Sequence, residues 1–197
     1  MNGPGHNGGP TLEAGASWRR HCWRVARAQL LPKLPLEVVR LRVKRAAEIG
    51  LDYKTYAGVR ATTGHDLVAF LFSTNALRLL REGDRMPAAD AERLARTRQV
   101  GRLVAVQPPL DPARMRRGLA EQGVTLDVAA RAPGISLGWG ETRRVLLDLL
   151  GEIRAPADRV LVIGETPLER DWAQAARMAG FLPAARYFGA PAAGSGR

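Results

Sequence analysis

Residues 159–181, RVLVIGETPLERDWAQAARMAGF, decide the fold, because they read as a strand, a tight turn and a helix. Val160-Leu161-Val162-Ile163 is a short apolar run of the kind that fills a parallel strand covered on both faces. Gly164 ends it, since a residue without Cβ turns most sharply there. Thr166 and Glu169 have capping-box spacing, and Pro167 stands between them at the first helical position, where a missing N–H costs nothing. Leu168, Trp172, Ala175, Ala176 and Ala179 then recur at helical spacing, and Gly180 is read as the stop.

The same rhythm runs upstream. LVAFLF at 67–72 is a buried strand that ends in Ser73-Thr74-Asn75. A helix is predicted over 88–99, and LVAV at 103–106 is the next strand, closed by Gln107-Pro108-Pro109. Asp111-Pro112 opens a helix that runs to Glu121 and stops at Gly123. A strand over 125–129, a loop over 134–140 and a helix over 141–153 complete the series before the strand at 160–163. Four strands alternating with helices predict an α/β domain over 67–188: a small parallel sheet of about four strands flanked by helices. Residues 181–188 are expected to dock on it, and 189–197 form a flexible tail.

Before residue 67 the character is different. Residues 1–16 are rich in Gly, Pro and Asn and are expected to be a disordered tail. Residues 17–66 form a basic helical segment, with helices predicted over 17–30, 36–50 and 54–61. PKLP at 32–35 breaks the first two, and Gly50 separates the second and third.

The net charge is +11, and 27 of the 30 basic residues are arginine. Residues 19–60 carry 11 basic and 3 acidic side chains, while 67–197 carry 19 and 14, so the excess is concentrated in the first third. Such an excess points to a polyanionic partner, nucleic acid or a phosphorylated ligand. No apolar run reaches the roughly 18–20 residues that span a bilayer, so no membrane partner is expected. MNGPGHNGGP lacks the basic start and apolar stretch of a signal peptide, and Cys22 is the sole cysteine; both suit a reducing cytoplasm. His6 and the adjacent His21-Cys22 have no metal-ligand spacing, so no metal is expected. GxxxxGK[ST] is missing from the sequence. Nothing here indicates an oligomeric state.

Residues 42–61, RVKRAAEIGLDYKTYAGVRA, resemble the helix-turn-helix of bacterial DNA-binding proteins. Ala46 is the small residue where the second helix crosses, Gly50 is at the turn, and Ile49, Leu51 and Val59 are the flanking apolar positions. Tyr56 is larger than usual there, and Gly58 sits inside the second helix. The resemblance implies nucleic-acid contacts from Arg40, Lys44, Arg45, Lys54, Thr55 and Arg60, with the helix that starts at Lys54 directed to the major groove.

In open α/β sheets, ligands bind beyond the carboxyl ends of the strands. Here those ends gather Ser73, Thr74, Asn75, Gln107, Glu165 and Thr166 into a candidate ligand pocket. Gly164, Glu165 and Glu169, after an apolar strand and before a helix, resemble the last motif of the haloacid dehalogenase superfamily, a Rossmann-like group made largely of phosphatases. The resemblance covers about 120 residues and implies a capless sheet domain with a Mg²⁺ site. The family's two aspartates after its first strand have no counterpart, because residues 71–75 hold no carboxylate. Without that nucleophile no aspartyl-phosphate forms, and Mg²⁺ would be needed only by an atypical hydrolase of phosphate esters. The sequence therefore predicts a cytoplasmic nucleic-acid-binding or regulatory protein with a non-catalytic α/β domain, without a cofactor. An atypical phosphoryl-handling hydrolase and a protein-binding scaffold are the alternatives.

Overall fold

The computed structural model describes residues 34–189, so the expectations for the N-terminal tail, the 17–30 helix and residues 190–197 lie outside it. The chain divides into two compact units, Met1–Val39 and Arg40–Arg197. Of the first, the described residues form only the opening of a helix, where the Val39 N–H bonds to the Pro35 carbonyl at 3.1 Å.

The elements run α1 (Leu36–Glu48), α2 (Tyr53–Thr63), β1 (Ala69–Ser73), α3 (Ala88–Arg96), β2 (Gly101–Val106), α4 (Pro112–Glu121) and β3 (Val128–Arg131). They continue with α5 (Trp139–Gly151), a 3₁₀ turn (Ala157–Arg159), β4 (Val160–Gly164), α6 (Pro167–Ala175), β5 (Gly180–Pro183) and α7 (Ala184–Phe188). All five strands are parallel, in the order β3-β2-β1-β4-β5. In the centre, Ala69 pairs with Gly101 on one side and Val160 on the other.

Alternation along the central strands divides the core. Phe70, Phe72, Val104, Val106, Leu161 and Ile163 face a layer that includes Ile49, Tyr56, Leu94, Leu119 and Tyr187. Ala69, Leu71, Leu103, Ala105, Val160 and Val162 face Leu146, Leu149 and Leu150 of α5 and Trp172 of α6. Each central strand is therefore apolar on both faces, which explains the continuous apolar runs in the sequence. The hairpin α1–α2 shares the first of these layers through Ala46, Ile49, Leu51 and Tyr56, all buried.

The sheet has a fifth strand where the sequence suggested a longer helix and a docked segment. Helix α6 closes at Ala175, Arg177 takes a positive φ of 53°, and the Ala179 N–H bonds to the Val160 carbonyl at 2.9 Å. That bond lays 180–183 along the edge of β4. A four-residue strand that ends in proline carries no alternation to read, and proline is tolerated because this is an edge. The third strand also begins later than expected. Asp127 bonds Arg102 through both its N–H and its carboxylate, and the ladder starts only after it.

Connections from β1 lead outward through β2 to β3, and those from β4 lead the opposite way to β5. The loops that leave β1 and β4 therefore diverge, and the crevice between them is the topological switch point.

Candidate functional site

At the carboxyl end of β1 the polar residues first serve the backbone. Ser73 is fully buried, and its hydroxyl accepts the Ala76 N–H at 3.0 Å to close the turn. The Thr74 hydroxyl accepts the Gln107 N–H at 3.3 Å, tying the loop after β1 to the end of β2. Two residues past β1, the Asn75 amide donates to Gln107 Oε1 at 3.2 Å and to Glu169 Oε1 at 2.9 Å. One residue past β2, the Gln107 amide donates to the same Glu169 oxygen at 2.9 Å.

Glu169 is the centre of this cluster and has no exposed surface. The local sequence brings it there. Thr166 caps α6, its hydroxyl accepting the Glu169 N–H at 3.4 Å, while Glu169 Oε2 accepts the N–H groups of Glu165 (2.6 Å) and Thr166 (3.0 Å). The carboxylate folds back beneath Gly164 with no room to spare. A Cβ on Gly164 would lie 2.6 Å from the Phe181 ring and 2.8 Å from Glu169 Oε2. Each oxygen of Glu169 thus accepts two N–H donors, which occupies about all the lone-pair directions of a carboxylate.

The four donors are two side-chain amides and two backbone N–H groups, with no cation among them. Glu165 is exposed beside it and makes no pair with it through the side chain. Among the described residues, no group of three or more His, Cys, Asp or Glu side chains could hold a metal ion. The structure brings the side chains of Asn75 and Gln107 together at Glu169, where Glu165 and Thr166 contribute only backbone N–H groups, while Ser73 closes a turn and Thr74 ties the loop after β1 to Gln107. The residue at the centre, Glu169, reads from sequence as a capping partner and as the second acid of a haloacid dehalogenase-like motif, not as the acceptor for Asn75 and Gln107. That acceptor role joins positions 62 and 94 residues apart, and a capping box carries no sign of such contacts.

The basic hairpin has a different arrangement. Gly50 takes φ +75° at the turn, and Asp52 caps α2 by accepting the Thr55 N–H at 2.9 Å. The Thr55 hydroxyl donates to the same carboxylate at 2.6 Å and accepts from Arg186 at 2.8 Å. These bonds, the hydroxyl's above all, hold the Asp52 carboxyl below the ordinary range.

Arg45 reaches down from α1 to Asp66 (Nε–Oδ2 2.9 Å) and to the carbonyls of Leu67 (3.0 Å) and Gln99 (3.1 Å). The Tyr56 hydroxyl donates to the other oxygen of Asp66 at 2.8 Å, and Arg60 lies 3.9 Å from it. Burial, reinforced by the bond to Asp66, pushes the Tyr56 phenol upward. Arg45, Arg60 and Thr55 therefore have internal partners, and Lys44 and Lys54 are exposed, as is Arg40. The outer face of α2 continues from Lys54 through Gly58, Ala61 and Thr62, all exposed. A Cβ on Gly58 would meet nothing within 4 Å.

No helix among the described residues is long and apolar enough to cross a membrane. Neither a protein-family model, a curated protein nor a solved structure matches the chain.

Proposed function

We propose that the chain is a cytoplasmic nucleic-acid-binding protein that presents a basic helical hairpin on a catalytically silent α/β domain. The observation that carries this reading is the division of labour within the hairpin. Arg45 and Arg60 are drawn inward and fix the hairpin to the core through Asp66, whereas Lys44 and Lys54 stay at the surface. A rigidly mounted cationic face suits contact with phosphates, and the small side chains along α2 let it lie close to a groove. Gly58 supports this, because a glycine in an exposed helix interior costs about 1 kcal/mol against alanine and packing does not require it.

The five-stranded parallel sheet and the position of Glu165 and Glu169 support a haloacid dehalogenase-like reading of the α/β domain. The saturated carboxylate of Glu169 and the amides at Asn75 and Gln107 argue against phosphoryl transfer at its crevice. No Mg²⁺-dependent release of phosphate from simple phosphomonoesters is expected. A gel-shift titration of the full chain against duplex DNA, single-stranded DNA and heparin at several salt concentrations tests the reading. Tighter binding to duplex than to heparin supports it, and equal affinity for the two sinks it. Lys44→Ala should weaken every sequence alike, while Lys54→Ala should cost about 1–3 kcal/mol more on a preferred sequence.

A protein-binding scaffold is the second reading. It is favoured by the loop after β3 and the start of α5, where Ile135 is 86% and Trp139 55% exposed.

A further inference from the structure

We propose that the cavity between the loop after β1 and helix α4 binds a small amphipathic oxyanion, a phosphate or carboxylate group carried on a compact apolar body. The cavity measures about 280 Å³, and its walls come from 79–85 and 110–122. It is separate from the Asn75–Gln107–Glu169 cluster, and the α1–α2 hairpin supplies none of its walls, so it stands independently of the nucleic-acid reading.

Its floor is apolar. Leu79, Leu110 and Leu119 are all at least 97% buried, and Met115 packs beside them half-buried. Its rim carries Arg81, Arg85 and Arg117, all exposed. What distinguishes the arginines of the site is which of them and of the neighbouring carboxylates already have partners. Glu82 is taken by Arg114 at 2.5 Å, and Asp84 accepts the N–H groups of Leu80 and Arg81, each at 2.8 Å. Asp111 caps α4 by accepting the Arg114 N–H at 2.8 Å. Three of the four wall carboxylates are thus committed to other groups, with Glu121 the remaining one. Arg85 and Arg117, by contrast, make no hydrogen bond or ion pair among the described residues.

Two unpaired guanidinium forks above an apolar floor match an oxyanion attached to an apolar group. The fork pairs two-to-two with phosphate or carboxylate oxygens, and the floor recovers the apolar area that a bare ion lacks. The space suits a ligand smaller than a typical drug, the size of a single ring bearing one anionic group. Its walls include residues of the loops that leave the carboxyl ends of β1 and β2, the end of an α/β sheet where ligands gather.

The test is isothermal titration of the full chain with phenyl phosphate, benzoate and inorganic phosphate in parallel. Saturable one-site binding of phenyl phosphate or benzoate, at least about tenfold tighter than inorganic phosphate, is expected. The tighter of the two ring compounds identifies the anionic group. Arg85→Ala and Arg117→Ala should each weaken it by about tenfold, while Arg144→Ala, an exposed arginine on α5, should leave it unchanged. All three are surface positions, so thermal melting should be unaltered. Absence of saturable binding up to about 10 mM overturns the proposal. So does inorganic phosphate binding as tightly as the ring compounds, or a loss in Arg144→Ala equal to that in Arg117→Ala.

Discussion

Glu169 and Asp66 are both carboxylates that join distant segments, and they do it in opposite ways. Glu169 is wholly buried and meets only N–H donors from two amides and two backbone groups. Asp66 is partly exposed and meets a guanidinium, a phenol and the backbone N–H of Leu67. The first arrangement closes on itself, with both oxygens of one carboxylate taken by N–H donors. The second spends Arg45 and Arg60 on anchoring, while Lys44 and Lys54 stay exposed. Polar residues at a loop-rich end of a sheet are thus no guide to chemistry until their hydrogen bonds are counted.

The largest expected effect tests the closed side of the contrast. Glu169→Ala strands four N–H donors in the interior and should cost about 3–5 kcal/mol in denaturant unfolding. If the variant lost less than 1 kcal/mol, the cluster would be ornamental and the crevice open to ligands. Next comes the hairpin clamp. Asp66→Ala should cost about 2–3 kcal/mol and raise hydrogen exchange across 40–63, leaving the strands unaffected. Exchange that rises equally in β1 and β4 would contradict the view of a separately fastened hairpin.

The clamp also carries a pH signature. The folded state raises the Tyr56 phenol, so this contribution is complete below the ordinary tyrosine range near 10 and fades as pH rises through the folded value. Tyr56→Phe should abolish that alkaline decline, which pH-dependent melting would detect.

Smaller effects sharpen the open side. Gly58→Ala should stabilise the fold by about 1 kcal/mol, since the new methyl meets nothing within 4 Å. If α2 lies against nucleic acid, the same change should weaken DNA binding. Gly118→Ala, another helical glycine with open space around it, should stabilise similarly and leave binding alone. Equal binding by the two variants would remove α2 from the interface. The smallest change concerns Tyr187, whose buried hydroxyl has no partner among the described residues. Tyr187→Phe should shift stability by no more than about 0.5 kcal/mol, and in the stabilising direction.

The strand-turn-helix at 159–181 was legible because local signals coincide: an apolar run, a glycine turn, a capping box and proline at its first helical position. The α/β class followed from repetition of that unit. The edge strand Gly180–Pro183 was not legible, since its pairing is dictated by the Ala179 bond to Val160 and not by any pattern of its own. The site residues divide on the same line. Asn75, Gln107, Glu165 and Thr166 could be placed because strand ends are local features. That Glu169 gathers two of them, and that Arg45 turns inward to Asp66 and Gln99, depends on contacts between distant segments. Spacing along one helix cannot distinguish an arginine that anchors from one that binds.

The central claim is that the outward cations of the hairpin touch phosphate. It is tested most directly by fluorescence anisotropy of a labelled duplex against full chain, repeated over a range of salt. The comparison is between the wild type, the double variant Lys44→Ala/Lys54→Ala, and a control that removes equal charge elsewhere, Arg144→Ala/Arg154→Ala. With Lys44 on a phosphate and Lys54 on a base, the hairpin variant should lower the log–log salt slope by about 0.9, and the control should leave it at the wild-type value. Equal slopes for all three proteins would show that the charge of the hairpin is incidental and contradict the proposed interface.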